Sequence, residues 1–431
     1  MGNRTIKVET LTRVEGEGGL YIRLNGEAVD EVRLEIYEPP RLFEALLRGR
    51  PLEDVPDITA RICGICPVAY QMSSVHALEA ALEVTVSPEI RRLRRLLYCG
   101  EWIESHGLHM HLLHAPDFLG FDSGLEMAKQ FPDEVNRGLR LKKHGNQLVD
   151  MLGGRAIHPI NVCVGGFYRL PTRKEVHKLI PDFEWGLNAA IETTRWVAGF
   201  DFPDFESPDC EYISLSHPDE YPMNAGVMKT SRGDTIDVAN YEAEFEEQQV
   251  PHSTALHAIR KSTGRPYLLG PLARINLNRD KLSPSAQKLA DEIKLEPLCC
   301  NPHKGIIARG LEIIHAYEEA LMILRDQTLK GKSRASYEYQ AGEGLSATEA
   351  PRGTLFHRYI VDKDGKIVEA SIVPPTSQNQ AQIETDLKQW ISHVISNDER
   401  ETARKCENLV RAYDPCISCS THFLNVKIER T

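Results

Sequence analysis

Apolar and polar residues alternate over residues 5 to 37, as in Leu20-Tyr-Ile-Arg-Leu and Val32-Arg-Leu-Glu-Ile, with Asn25-Gly26 between the two runs. Period-two alternation broken by an Asn-Gly pair predicts a β-hairpin, because the tight turn needs residues that accept positive φ. From Pro67 the spacing turns helical, and Ser87-Pro88 supplies an N-cap followed by proline at the first helical position, which predicts a long helix over roughly 88–114. Further helices are expected near 173–199, 284–294, 303–329, 377–396 and 398–412. Thr172 and Glu175 are spaced as a capping box at the start of the first of these. A second, smaller hairpin is expected at Leu355 to Val373, turning at Asp362-Lys-Asp-Gly365, while residues 201–255 read as acidic, proline-bearing and irregular. The pattern as a whole predicts a predominantly α-helical α+β fold.

Composition sharpens this picture only in places. Apolar residues make up 41% and charged residues 26% of the 431 positions, which is globular and not disordered. That length suits two domains or one large one. With no repeat, low-complexity tract or long linker, one intertwined domain is preferred. A net charge of −11 without a basic stripe excludes nucleic acid as the main partner. The N-terminus lacks the apolar core of a secretory signal, and no stretch of about 18 apolar residues predicts a membrane span, so a cytoplasmic location is expected. In that setting ten cysteines read as free thiols and metal ligands. Cys99, Cys163, Cys210, Cys299, Cys300 and Cys406 lack C-x-x-C spacing and read as inert buried thiols.

The other four cysteines carry the chemistry. Arg61-Ile-Cys63-Gly-Ile-Cys66-Pro67 and Asp414-Pro-Cys416-Ile-Ser-Cys419-Ser-Thr-His422 each place two thiolates on one side of a short turn, where they can chelate one metal. A single pair is equally compatible with a redox dithiol or half a zinc knuckle. The pairs lie about 350 residues apart, whereas a zinc ribbon closes within about 20, so a local zinc module does not fit. A structural zinc shared between the chain ends does fit, and soft thiolates serve nickel, iron and copper as well, so ligand type leaves the metal open. The run His106, His109, His111 and His114 does not share one helix face, and polar packing or solvent exposure is expected there.

Taken together, the two cysteine motifs in this order resemble those of nickel-iron hydrogenase large subunits. The resemblance extends to Arg13-Val-Glu15-Gly, Phe43-Glu44, Gly153-Gly-Arg-Ala-Ile-His158-Pro and Ala350-Pro-Arg352-Gly-Thr-Leu-Phe-His357, and so spans the chain. It implies that Cys63, Cys66, Cys416 and Cys419 bind nickel, with Cys66 and Cys419 bridging to an iron that carries carbon monoxide and cyanide. Heterolytic cleavage of dihydrogen needs a Lewis-acidic metal and a nearby base for the proton, and Cys416 or Cys63 is the candidate thiolate base. Glu15 resembles the family's proton-relay glutamate, although taken alone it reads as a solvated residue after a strand. Arg352 resembles the arginine above the metals, with Asp414 and Asp117 expected to orient it. Pro351, Pro374, Pro375 and Thr376 are expected to line the cofactor. Glu44 and His422 are expected to hold a magnesium-type ion, for which a carboxylate is suited and a histidine unusual.

Three positions depart from the family pattern: Glu17 and Tyr70 stand where many members carry histidine, and Pro375 stands where several place a serine near a cyanide, leaving Thr376 as the alternative donor. The resemblance implies a catalytic domain over residues 1–422 and a maturation tail, 423–431, removed by a specific protease after nickel chaperones have loaded the metal. No remaining cysteine grouping resembles an iron-sulfur motif, and no nucleotide-binding fingerprint is present. Clusters, flavin and NAD(P) therefore belong to partners, namely diaphorase subunits together with an iron-sulfur small subunit. The compact length and Asp-Pro-Cys-Ile-Ser-Cys ending look like the soluble NAD(P)-linked bidirectional group called sulfhydrogenases. The competing readings are a deazaflavin- or ferredoxin-linked hydrogenase and, from another class, a non-catalytic zinc or structural subunit related to respiratory complexes.

Overall fold

The computed structural model describes residues 3–26, 28–39, 42–326, 331–396 and 398–421. Strands β1 (Asn3–Val8), β2 (Gly18–Asn25) and β3 (Ala28–Ile36) form an antiparallel sheet in that order. The expected hairpin is β2 and β3, with Gly26 at φ 64 in its turn. Leu20, Ile22, Leu24, Leu34 and Ile36 are buried, so the alternation read from the sequence is the inward face of this sheet.

Helix α1 (Pro67–Ala81) is buried on nearly every side. Helix α2 (Pro88–Leu108) starts where Ser87 Oγ accepts the Ile90 amide at 3.3 Å, and the chain continues through a π-helical turn, His109–His114. Against it runs α3 (Pro132–Gly153), which the hydrophobic pattern did not predict. Glycines let the two backbones touch: a Cβ on Gly145 would stand 2.5 Å from the Gly100 carbonyl oxygen. Helix α4 (Arg173–Ala198) has the expected capping box, with Thr172 N donating to Glu175 Oε2 at 2.6 Å and Glu175 N to Thr172 Oγ1 at 3.3 Å. It packs on α5 (Gly305–Arg325).

The second predicted hairpin gains a strand. β4 (Gly342–Ala350), β5 (Gly353–Val361) and β6 (Ile367–Val373) form an antiparallel sheet, turning at Gly365 with φ 75. Helices α6 (Pro375–Val394) and α7 (Glu399–Tyr413) follow close to their expected spans, and α8 (Ile417–Ser420) ends the described chain. Residues 201–255 are largely loop, as expected, relieved by the small sheet of Ile213–Ser216, Val227–Thr230 and Thr235–Ile236.

A buried ionic network fixes where these elements meet. Arg274 donates to Glu312 on α5 at 2.7 Å from both Nε and Nη2, and to Glu349 on β4 at 2.9 Å. His106 Nε2 and Tyr221 Oη reach the same Glu312 at 2.9 and 2.7 Å. Arg274 also donates to the carbonyls of Ala350 and Pro351 at 2.9 and 3.0 Å, which clamps the turn that carries Arg352. Every ion here has several partners, the condition under which buried charge is tolerated.

Candidate metal centre

The first cysteine pair precedes α1, with Pro67 at the first helical position, where its missing N–H costs nothing. The free amides of Val68 and Ala69 donate to the Glu101 carboxylate of α2 at 2.6 and 3.1 Å. Cys63 Sγ accepts the amides of Ile65 and Cys66 at 3.3 and 3.2 Å, so its sulfur is aimed before any metal arrives.

The second pair is delivered by a bend after α7. Asp414 sits at φ 54, a conformation costly for a residue with a Cβ. It is held there by Arg352, whose Nε donates to the Asp414 carbonyl at 2.7 Å and whose Nη2 donates to Asp414 Oδ1 at 3.0 Å. The Cys416 amide then donates to Thr376 Oγ1 at 3.0 Å, and Ile417 N donates to the Glu15 carbonyl at 2.9 Å. Gly16, at φ +90, permits this approach, because a Cβ there would lie 2.7 Å from Ile417 Cβ and 2.8 Å from Ser418 N.

The four sulfurs converge as expected. Cys63, Cys66, Cys416 and Cys419 are buried and their Sγ atoms all lie within 4.8 Å of one another, with 3.6 Å between Cys63 and Cys416. Burial pushes the Cys416 and Cys419 thiols well above their ordinary range. Cys63 goes the other way: burial opposes ionisation there, but hydrogen bonds from the other three thiols and the charge of Arg352 outweigh it. Four adjacent thiolates in an apolar pocket repel one another, so the full set is stable only around a cation, and a soft donor set suits nickel and iron. Two buried atoms, Arg352 Nη1 and Asp414 Oδ2, have no hydrogen-bond partner among the described residues. An unpaired guanidinium N–H beside the thiols fits an anionic ligand such as cyanide.

Around the thiols the structure places the other expected residues as follows. The Cys416 thiol donates to Glu15 Oε2 at 3.1 Å, and Ser418 N donates to the same oxygen at 3.1 Å. Ser418 Oγ donates to Glu38 Oε1 at 3.0 Å, and that oxygen also accepts the amide of exposed Glu17 at 2.7 Å. Pro351, Pro374 and Pro375 are buried in the turns that bear Arg352 and Thr376. Glu44 Oε1 accepts the Ile372 amide at 2.7 Å, but His422, its expected companion, lies outside the described residues. Asp117 differs from expectation: it pairs with Arg411 at 2.7 and 2.9 Å and with Arg13, while among the described residues the carboxylate that bonds Arg352 is that of Asp414. The reason is geometric, since Asp117 lies within the short helix Ala115–Leu119, tied through Arg13 to the N-terminal loop, while Arg352 leaves a strand turn.

Sequence reasoning missed Glu101, Glu38 and Arg274. Each acts through a residue distant in sequence, so no local pattern marks it. All four histidines of the 106–114 run are buried, which decides for polar packing over exposure. Cys99, Cys163, Cys299 and Cys406 are buried free thiols, and Cys210 and Cys300 are half-buried ones.

Known proteins share this sequence and fold. The family model described as nickel-dependent hydrogenase matches residues 41–137 and 259–422, which include all four cysteines, Arg352 and Asp414. The chain is 35% identical over 424 residues to the alpha subunit of sulfhydrogenase 1 from Pyrococcus furiosus, covering 98% of each chain. It is 33% identical over 424 residues to the alpha subunit of sulfhydrogenase 2 from the same organism, covering 98% of this chain and 100% of the relative. Among solved structures, an NAD+-reducing [NiFe]-hydrogenase in its H2-reduced state superposes with a TM-score of 0.86 at 27% identity, covering 97% of this chain and 99% of that one. With sequence and fold agreeing from the first sheet to the last cysteine, the chain belongs to the nickel-dependent hydrogenase family.

Proposed function

We propose that this chain catalyses reversible heterolytic oxidation of dihydrogen and reduction of protons at a nickel held by Cys63, Cys66, Cys416 and Cys419. The same four thiols would also hold an iron that carries carbon monoxide and cyanide. When bound, the metal pair supplies the Lewis acidity that polarises dihydrogen. The observation that carries this reading is the convergence of four buried thiols from opposite ends of the chain to within 4.8 Å beside an unpaired guanidinium N–H.

The protein's own groups divide the remaining work. Cys416 Sγ is the proton acceptor of the pocket, and Glu15 Oε2, 3.1 Å away, takes that proton on. Glu15 and Glu38 both bind Ser418, the first through its amide and the second through its hydroxyl, so Glu38 would be the next carboxylate to take the proton toward solvent. Arg352 gives Nη1–H to an anionic ligand while Asp414 fixes its plane. The Thr376 hydroxyl, which accepts from the Cys416 amide, keeps its proton to donate to a cyanide. Pro351, Pro374 and Pro375 contribute no N–H and keep the wall of the pocket apolar. Glu44 would hold a magnesium-type ion with His422, and Asp117 would brace the loop bearing Glu15 through Arg13 and Arg411.

Electrons would leave through an iron-sulfur small subunit, then through flavin-bearing diaphorase subunits to NAD(P), in the cytoplasm. Supporting this are the likeness to an NAD+-reducing enzyme and to the alpha subunit of a sulfhydrogenase. No helix among the described residues is long and apolar enough to cross a membrane. Residues 1–422 would form one catalytic domain, with 423–431 removed by a maturation protease after nickel chaperones have acted. Replacing Cys416→Ser tests the centre: hydrogen-dependent dye reduction should be abolished and nickel per chain should fall. Undiminished turnover with nickel retained would refute it.

A further inference from the structure

We infer that His252, His257 and Glu384 form a second metal site, built for a borderline divalent ion of the zinc type and independent of the four thiols. One ligand atom from each of the three lies within 4.8 Å of the others. His252 Nε2 is 2.8 Å from Glu384 Oε1, His257 Nδ1 is 4.0 Å from Glu384 Oε2, and the two imidazole centroids are 5.6 Å apart. The three residues come from separate parts of the fold. His252 follows the strand Phe245–Gln248, His257 opens the strand His257–Arg260, and Glu384 projects from the middle of α6.

A plain ion pair accounts for only half of this. His252 satisfies one carboxylate oxygen, but 4.0 Å is too long for a hydrogen bond from His257. The other ring nitrogen of His257, Nε2, is buried with no partner among the described residues. A buried imidazole held 4.0 Å from a carboxylate, too far to bond it, leaves room between them for a shared ligand. A cation between the two rings and Glu384 would take His252 Nε2, His257 Nδ1 and a Glu384 oxygen as ligands together.

The surroundings are those of a prepared site. The Leu34 amide of β3 donates to Glu384 Oε1 at 2.8 Å, which orients the carboxylate from behind. Between the two histidines, the Thr254 amide donates to the Ile36 carbonyl at 2.8 Å, pinning their loop to the same strand. Two imidazoles and one carboxylate select zinc, cobalt or nickel over magnesium, and three protein ligands leave a fourth position for water. Ala255, inside this loop, bridges to Thr421 just after the last cysteine. An ion here would therefore tie α6 and β3 to the loop that lies against the end of the cysteine segment.

The test uses the intact complex, purified anaerobically, stripped of loosely bound metal with a chelator and titrated with Zn2+ alone. Wild type should take up one more zinc per chain than His257→Gln or His252→Gln, or hold it at least about tenfold more tightly. Nickel content and the infrared bands of the catalytic centre should stay the same in all three. Equal zinc uptake by wild type and both variants, with those bands intact, would overturn the site. If a variant fails to assemble, Co2+ added to wild type decides: X-ray absorption should show two imidazoles per added cobalt, and none would overturn the assignment.

Discussion

Glu15 meets the chemistry through a single oxygen, since Oε2 takes both the Cys416 thiol and the Ser418 amide at 3.1 Å. Glutamine would keep the shape and lose the proton. Glu15→Gln should leave the infrared bands of the metals in place and lower hydrogen-deuterium exchange by about 10² to 10⁴-fold, the usual worth of a general acid-base group. Normal exchange in that variant would remove Glu15 from the mechanism. Asp117 makes a different claim, because it neutralises Arg411, which is 1% exposed, together with Arg13. Asp117→Ala strands a buried guanidinium and should cost about 3 to 5 kcal/mol in denaturant unfolding. A loss below about 1 kcal/mol would mean that Arg411 finds another partner. Glu15, Arg352 and the cysteines were legible because short motifs fix their neighbours along the chain. The partner of Asp117 was not, since Arg411 lies at the far end of the sequence and nothing local announces the pairing.

Among the elements, those with a chemical punctuation mark were read correctly from sequence. Ser87-Pro88 and Thr172 with Glu175 start helices where their caps are found. Helix α3 lacks a side-chain cap, and the sequence reading passed over it although Val135, Leu141, Leu148 and Leu152 form a buried stripe at helical spacing. The π-helical turn after α2 was equally invisible, although it places the buried histidines. Burial holds His111 down to about 4, while its Nδ1–H donates to the Gly107 carbonyl at 2.9 Å. An unfolded histidine titrates near 6.5, so between pH 6.5 and 4 the unfolded chain binds more protons than the folded one. The stability this group contributes is present above pH 6.5 and is lost as pH falls through that window. His111→Gln should accordingly flatten the decline of unfolding midpoint between pH 6.5 and 4. An unchanged slope would show that His111 is protonated in the fold.

At the scale of the molecule, the catalytic subunit depends on its two ends meeting. Glu15 and Cys416 share a parallel bridge, and Cys63 and Cys416 approach to 3.6 Å, although about 350 residues separate them. The sequence reading reached this convergence through the family resemblance that the two C-x-x-C motifs carry. It could not reach what holds the ends in place, namely Arg274 clamping the Arg352 turn and Glu101 capping α1, because those contacts exist only after folding. The central claim is that the four thiols carry nickel and an iron bearing carbon monoxide and cyanide. An infrared spectrum of the anaerobically purified complex, with nickel and iron quantified on the same sample, tests it most directly. Intrinsic carbon monoxide and cyanide bands with one nickel and the matching iron per chain are the predicted result; stoichiometric zinc at the thiols with no such bands would contradict it.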